Sequence, residues 1–287
     1  MWPIMKITYR EMLSKRIFTI TILMSLAFLL LFGVATGYAS RELGDILGND
    51  AESLLQRSFL STQLLGMGLY IGSFITALLA ILSSVGSIAS EVESHQIDTW
   101  LARALPRSKY LLGKFCGLAS MLALYALMMF LGLLGINQFV GGGALAVPFS
   151  AGQVLSGLGF FVLMPIILVC VSLLLSSITT TVTGGIVLII LYGISFIGGF
   201  VEQLGSIVGE ASLVNIGIIS SLLFPTDSLF RKATIALFDT ADDPLSFASQ
   251  GLFGSTSAPS DAMLVYTLFY GAAALWLAVR LFARRDV

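Results

Sequence analysis

The sequence predicts an all-α membrane protein with six transmembrane helices, and three observations lead to that prediction. Of its 287 residues, 57% are hydrophobic and only 11% are charged, whereas an average soluble domain has roughly 25% charged residues. Between Arg57 and Glu202, all charged side chains fall within residues 91–114. Several apolar segments also reach the length of about 20 residues that a helix needs to cross a bilayer. One charged side chain at the centre of such a helix costs about 2.5–3.5 kcal/mol, so residues 91–114 are expected to lie outside the membrane.

The chain is predicted to form a single transmembrane domain over residues 1–287. Glycines at 141–143 and Pro148 separate the third span from the fourth, since both residue types interrupt helices. A polar, uncharged turn at residues 176–183 separates the fourth span from the fifth. The six predicted spans cover residues 17–38, 64–89, 111–136, 153–176, 182–201 and 262–282.

A further apolar segment, residues 211–224, is too short for a full span. It lies in a predicted external segment at residues 202–260, and Pro225 follows it directly. We therefore expect a re-entrant or interfacial helix that ends at Pro225 rather than a seventh crossing.

Basic residues predict the orientation, because Lys and Arg concentrate on the cytoplasmic side of membrane proteins. With both termini in the cytoplasm, only Arg41, Arg57, Arg231 and Lys232 lie outside. The eleven basic residues inside are Lys6, Arg10, Lys15, Arg16, Arg103, Arg107, Lys109, Lys114, Arg280, Arg284 and Arg285. This asymmetry predicts a multi-pass protein of the cell membrane with both termini cytoplasmic.

Residues 1–16 are predicted to form an amphipathic helix in the cytoplasmic membrane interface. Its apolar residues recur at helical spacing, and they are Trp2, Met5, Tyr9, Met12 and Leu13. The alternative is that this segment is simply the beginning of the first span.

The charged segment between the second and third spans, residues 91–109, is predicted to contain a short amphipathic helix. Pro106 is expected to end it, since the residue before proline avoids the helical conformation, and Ser108 is expected to cap the third span. Its apolar face consists of Ile97, Trp100, Leu101, Ala104 and Leu105. A stiff element between two spans suits contact with a cytoplasmic motor protein, although it is also compatible with a helix that lies on the membrane surface without a partner. The predicted contact residues are Glu91, Glu93, Asp98, Trp100, Arg103 and Arg107.

Missing motifs exclude several functions. The sequence has no phosphate-binding G-x-x-x-x-G-K-[ST] motif, so any ATP and Mg²⁺ are expected on a separate subunit, with no cofactor or metal on this chain and no enzymatic activity. The predicted spans hold no ionisable residue at mid-depth, which disfavours an ion-coupled carrier. Lys114, at a predicted helix end, is expected to extend toward the membrane surface. The net charge of −1 gives no reason to expect nucleic acid binding.

Small residues in two spans predict close helix packing, within the chain or between copies. They are Gly68, Gly72, Gly184 and Gly185. The external segment is acidic, with Glu202, Glu210, Asp227, Asp239, Asp242 and Asp243 against Arg231 and Lys232. Such a segment is expected to be a solvated surface, and the alternative is that it attracts cationic cargo or a partner protein.

Several stretches resemble ABC-2-type transporter permeases. They are Ile88-Ala89-Ser90-Glu91-Val92-Glu93, Leu101-Ala102-Arg103-Ala104-Leu105-Pro106-Arg107-Ser108, Leu112-Gly113-Lys114-Phe115 and Phe224-Pro225-Thr226-Asp227-Ser228-Leu229-Phe230-Arg231. The resemblance extends to the branch that contains the permease used in nitrous-oxide-reductase maturation. It implies two six-helix permeases over two ATP-binding subunits, with a substrate path at the dimer interface. It also implies a coupling helix between the second and third spans, an N-terminal interfacial helix and a re-entrant external segment.

The sequence therefore predicts the permease subunit of an ATP-binding cassette transporter. The expected partners are an ATP-binding subunit, a second permease copy or homologue, and the lipid bilayer. The alternative is a membrane scaffold or assembly factor that anchors a cytoplasmic protein without transport.

Overall fold

A computed structural model describes residues 2–46, 51–94, 106–238 and 259–284. Every regular element in these ranges is an α-helix. In chain order the described helices are α1 (Trp2–Ser14), α2 (Arg16–Ile46), α3 (Ala51–Ser84), α4 (Gly86–Glu93), α5 (Arg107–Phe139), α6 (Gly142–Leu145), α7 (Ala151–Ile178), α8 (Thr181–Val208), α9 (Ala211–Leu223), α10 (Thr226–Phe238) and α11 (Asp261–Arg284).

Six helical stretches in the described residues are long and apolar enough to cross a membrane, which confirms the predicted number. α3 and α4 together form one of them, since only Val85 separates the two helices. The other five are α2, α5, α7, α8 and α11. α8 continues past the predicted end of the fifth span at residue 201 and reaches Val208. The predicted external segment therefore begins inside this helix.

α7 is the central helix of the bundle. It packs against α3, α4, α5, α8, α10 and α11, and its residues Leu168 and Leu173 are fully buried. An uncharged sequence suits this central position, because a charged group buried among other helices would need a partner. Its first turn is fixed by a reciprocal cap: Ser150 Oγ accepts from the Gln153 N–H at 3.2 Å, and Gln153 Oε1 accepts from the Ser150 N–H at 2.8 Å.

α9 and α10 form a bent pair, with an angle of 107° between the two helices. The bend lies at Phe224 and Pro225, as expected for a helix that ends before proline. This agrees with the prediction that residues 211–224 do not continue as a straight seventh span. α9 packs along the second half of α8.

α1 lies against α5 and buries Ile4, Thr8 and Met12. Of the predicted apolar face, Met12 is buried in the bundle, whereas Trp2 and Leu13 are exposed. Two glycines on α5 leave room for the close contact between the helices. A Cβ atom at Gly113 would lie 2.9 Å from Ile4 Cβ, and one at Gly117 would lie 2.9 Å from Thr8 Cβ.

The predicted packing glycines contact other parts of the same chain. Gly68 faces Phe32 on α2 and Gly72 faces Leu133 on α5. Gly185 faces Val85, and Gly184 faces Thr179 in the turn before its own helix. All four contacts lie within the chain.

Candidate functional site

Lys114 is the centre of a buried polar cluster where α1, α4 and α5 meet. Its side chain is only 1% exposed, and Nζ lies 2.5 Å from Glu91 Oε1 and 3.2 Å from Glu11 Oε2. Nζ also donates to the Ser87 carbonyl oxygen. The prediction that Lys114 extends toward the membrane surface was wrong, because the chain itself supplies carboxylates beside the ammonium group.

Glu91 and Glu11 connect this cluster to two further groups. The Tyr110 hydroxyl donates to Glu91 Oε2, and Lys15 lies 2.8 Å from Glu11 Oε1. Burial opposes ionisation of Glu11, but Lys114 and Lys15 outweigh it, so the pKa of Glu11 lies below its ordinary value. We call Glu11, Glu91, Tyr110 and Lys114 the junction cluster.

Glu93 connects α4 to α8. Its Oε1 accepts from the Thr181 N–H at 2.8 Å, and its Oε2 accepts from the Thr181 hydroxyl at 3.1 Å. Thr180 Oγ1 accepts from the Thr183 N–H at 3.4 Å. The first N–H groups of a helix have no partner within the helix, so a carboxylate from another helix caps α8 here and also suits the positive end of its dipole.

α4 is also attached to the end of α7. The N–H groups of Ile88 and Ala89 donate to Ser176 Oγ at 3.2 and 2.8 Å. Because α4 begins after a break at Val85, these early N–H groups need such a partner. α4 is therefore joined by polar side chains to α5, α7 and α8, and through Lys114 to α1.

The predicted contact residues lie in different environments. Glu91 is buried and Glu93 is exposed, and both make the bonds within the chain described above. Arg107 is half-buried at the beginning of α5. Asp98, Trp100 and Arg103 lie outside the described residues, as does most of the predicted amphipathic helix.

The predicted Ser108 cap was wrong. α5 begins at Arg107, and Pro106 occupies the cap position with extended backbone angles, φ −61° and ψ 130°. A proline suits this position because its φ is already fixed near the helical value and its missing N–H would have no partner there.

A second buried cluster lies near the other end of α8. Arg231 on α10 is 2% exposed, and its two terminal nitrogens donate to the two carboxylate oxygens of Glu202 at 2.7 and 2.8 Å. Asp227 Oδ2 lies 3.0 Å from Arg231 Nε. We call Glu202, Asp227 and Arg231 the outer cluster. For these three residues the interpretation as a solvated surface was wrong, because the α9–α10 pair folds over α8 and excludes water.

The outer cluster depends on close contact between α8 and the bent pair. Ser195 Oγ lies 3.1 Å from the Thr226 hydroxyl and accepts from the Asp227 N–H at 3.2 Å. A Cβ atom at Gly199 would overlap the Asp227 carboxylate, and one at Gly217 would overlap Glu202. At about 1.5 Å of rise per residue, about 30 Å of α8 separates Glu202 from the Glu93 cap at Thr181.

A cavity of about 250 Å³ adjoins the outer cluster. The residues that line it include Glu202, Ile218, Ser221, Ser228, Arg231 and Met263. On the inner side of the cluster, beside Asp227 and Tyr70, the free space is only about 10 Å³. This is room for about one water molecule. Of the outer cluster, Glu202 and Arg231 line the larger cavity, and Asp227 lines the smaller space. Among the described residues, no group of three or more His, Cys, Asp or Glu side chains is placed to hold a metal ion.

Comparison with known proteins gives one family. A sequence profile described as "ABC-2 family transporter protein" matches residues 2–287, nearly the whole chain. No curated protein matches the chain significantly. The profile covers the family as a whole, and the resemblance to the nitrous-oxide-reductase maturation branch stays a prediction.

Proposed function

The chain belongs to the ABC-2 transporter family, and from this premise we propose that it is the permease subunit of a transporter driven by a separate ATP-binding subunit. Membership of the family and six candidate spans support a membrane permease component. The partner subunit, a second permease copy and a cell-membrane location with cytoplasmic termini are further parts of the proposal.

The observation that carries the proposal is the attachment of α4. This short helix directly precedes the charged segment, and polar side chains tie it to α5, α7 and α8, and through Lys114 to α1. A displacement applied to residues 95–105 would act on α4 at one end and on α5 at the other. Through Glu91 and Glu93 the displacement would also reach the helices that cross the membrane.

We assign two roles to the predicted contact residues. Asp98, Trp100, Arg103 and Arg107 form the surface for the ATP-binding subunit. Glu91 and Glu93 transmit movement within the chain, since their carboxylates bind Lys114 and Thr181.

To test this proposal, the chain is purified together with its ATP-binding subunit, in wild-type form and with Trp100→Glu and Arg107→Glu. We expect the double variant to lose complex formation and transport-linked ATP hydrolysis. Arg41→Glu is the control. Arg41 is exposed near the C-terminal end of α2, and the predicted orientation places it on the external side of the membrane.

The outcomes separate the alternatives. If the double variant forms the complex and hydrolyses ATP as the wild type does, the assigned contact surface is wrong. If the wild-type chain binds the ATP-binding subunit but has no effect on its ATP hydrolysis, the protein acts as a scaffold instead.

A further inference from the structure

The side of α11 that points away from the bundle carries an aromatic and a basic residue near the C-terminal end of the helix. On the inner side, Ala278 and Phe282 are buried, and the Phe282 ring stacks on Tyr110 of α5 with ring centroids 6.2 Å apart. Trp276 and Arg280 lie on the opposite side of α11 and are exposed. This end of α11 therefore lies beside the beginning of α5, with an uncovered outer face.

Arg280 is held on Trp276 by a cation–π contact. Its guanidinium lies over the indole ring, 4.1 Å from the ring centroid. Since Trp276 precedes Arg280 by about one turn, the contact directs the guanidinium toward the apolar part of α11 rather than beyond the helix end. An arginine stacked on a ring uses the flat face of its guanidinium, so the N–H groups at its edge can still donate to a ligand.

The charge at this end of α11 favours an anion. Arg284 is exposed and lies four positions after Arg280, which places the two side chains next to each other on one face. Among the described side chains, no carboxylate forms an ion pair with either arginine. The carboxylates of the junction cluster already bind Lys114. Arginine pairs with phosphate through two parallel N–H bonds, so a phosphate group suits this pair.

The residues that precede Trp276 on the same face favour a lipid as the source of the phosphate. Val265 and Phe269 are 68% and 73% exposed, and the small Ala272 lies between Phe269 and Trp276. The axial distance from Phe269 to Arg280 is about 16 Å at 1.5 Å per residue, which is close to half of the roughly 30 Å hydrocarbon core. An acyl chain below a phosphate at Arg280 would therefore contact this apolar face through one leaflet.

The same arginines disfavour a second copy of the chain as the occupant of this face. Two copies related by a twofold axis present the same surface to each other. With the axis along the membrane normal, Arg280 and Arg284 of both copies would lie at the same depth and repel each other.

We propose that the outer face of α11 binds an anionic phospholipid, with its phosphate at Arg280 and Arg284 and one acyl chain along Phe269 and Trp276. The proposal goes beyond the role in ATP-driven transport and does not depend on it, because binding is measured on this chain alone. It requires only that α11, one of the six candidate spans, crosses the bilayer.

The test uses phospholipids with brominated acyl chains, which quench the fluorescence of a tryptophan that they contact. Trp2→Phe and Trp100→Phe leave Trp276 as the single tryptophan of the full-length chain. This protein is placed in nanodiscs of phosphatidylcholine and phosphatidylglycerol in equal amounts, with either one or the other lipid brominated. The ratio of quenching gives the relative affinity of the two lipids at Trp276.

We expect phosphatidylglycerol to be preferred about fivefold, the factor that one basic side chain contributes near an anionic lipid surface. Equal quenching by the two lipids would overturn the proposal. Absence of quenching by both lipids, as expected if a protein covers this face, would overturn it as well.

A pair of variants in the same background locates the site. Arg280→Gln should abolish the preference for phosphatidylglycerol. Lys109→Gln is the matched control, because it removes the same charge from an exposed residue at the beginning of α5, and it should keep the preference. If Arg280→Gln keeps the preference as well, the lipid does not bind at Arg280 and the proposal is wrong.

Two further measurements separate this site from charge alone and from phosphate alone. Arg280→Lys keeps the charge but loses the planar, stacked donor group, so the preference should fall to about twofold. An unchanged preference in Arg280→Lys would refute the stacked guanidinium as the binding group. Added inorganic phosphate should leave the quenching by brominated phosphatidylglycerol unchanged, and displacement by phosphate would overturn a lipid as the ligand.

Discussion

At the scale of single residues, Lys114 is the most informative position in the chain. A buried ammonium group is costly unless opposite charges and hydrogen-bond acceptors surround it, and Lys114 has Glu91, Glu11 and the Ser87 carbonyl oxygen. Glu91 and Glu11 lie 23 and 103 positions away in the sequence. Sequence spacing alone therefore could not show that this lysine is buried rather than directed to the membrane surface.

We predict that Lys114→Met destabilises the protein by about 3–5 kcal/mol, because it leaves the Glu91 carboxylate buried without its ammonium partner. The double variant Lys114→Met with Glu91→Gln should be more stable than Lys114→Met alone, since the remaining charge is also removed. The measurement is denaturant unfolding of each variant in the same detergent.

Lys109→Met is the control for this prediction, because Lys109 is exposed on the same helix. Equal stability of Lys114→Met and Lys109→Met would contradict this prediction. If the effects of the Lys114 and Glu91 changes on the free energy of unfolding simply add, Lys114 and Glu91 are not coupled.

The outer cluster was partly visible in the sequence. Asp227 and Arg231 are four positions apart, which is the spacing of an ion pair on one helix. Glu202 belongs to a different helix, and its approach to Arg231 depends on the bend at Pro225 and on the small residues between α8 and α9. The sequence alone therefore predicted a solvated acidic segment where the structure has a buried ion pair.

At the scale of elements, α8 is the helix that links α4 to the outer cluster. Glu93 caps its first turn, and Glu202 near its last turn binds Arg231. α4, the helix that carries Glu93, was not distinguished from the second span, because residues 86–90 are uncharged and continue its apolar pattern. The bend between α9 and α10 could be predicted from the sequence, since Pro225 interrupts the helix at that point.

We predict that Glu93→Ala loosens the first turn of α8. Loss of a helix cap costs about 0.5–2 kcal/mol, so amide hydrogen exchange near residues 181–184 should accelerate by about fivefold. Hydrogen–deuterium exchange with mass spectrometry measures this directly.

Glu210→Ala is a matched control for the cap. Glu210 occupies the cap position of α9, but within the described chain its side chain makes no capping hydrogen bond. Exchange at the beginning of α9 should stay unchanged in this variant. Equal exchange at residues 181–184 in Glu93→Ala and wild type would refute the cap assignment.

Packing between α8 and α9 gives a second prediction at this scale. In Gly217→Ala the new Cβ atom would lie 2.8 Å from Glu202 Cα and 2.8 Å from the Gly198 carbonyl oxygen. We expect a loss of about 1–3 kcal/mol, typical of an overpacked interior, measured as a lower midpoint of thermal unfolding.

Gly193→Ala is the companion variant, since a Cβ atom there would meet no described atom within 4 Å. It should be neutral or slightly stabilising, because alanine favours the helix more than glycine does. If Gly217→Ala and Gly193→Ala change the midpoint of thermal unfolding equally, α9 does not pack tightly on α8.

At the scale of the whole molecule, the pattern of charge predicted more than any motif. Together with the length of the apolar segments it predicted six spans, because exclusion of ionised groups from the bilayer acts on every part of the chain. The breaks at residues 141–148 and 176–183 were instead predicted from glycine, proline and small polar residues. The charge pattern could not predict which residues meet across the bundle. The two buried clusters arise from such contacts, and both lie toward the ends of the helices, where charged groups cost less than at mid-depth.

The predicted orientation joins these conclusions, because it places the junction cluster on the cytoplasmic side and the outer cluster on the external side. The most direct test is the sidedness of positions 95 and 210. Cys116 and Cys170 are replaced by Ser, and His95→Cys or Glu210→Cys then supplies the single cysteine.

Intact cells and inside-out vesicles are treated with a membrane-impermeant maleimide. We predict that His95→Cys reacts only in inside-out vesicles and Glu210→Cys only in intact cells. Reaction of His95→Cys in intact cells would contradict the account, because a subunit that hydrolyses cytoplasmic ATP could not then contact residues 91–109.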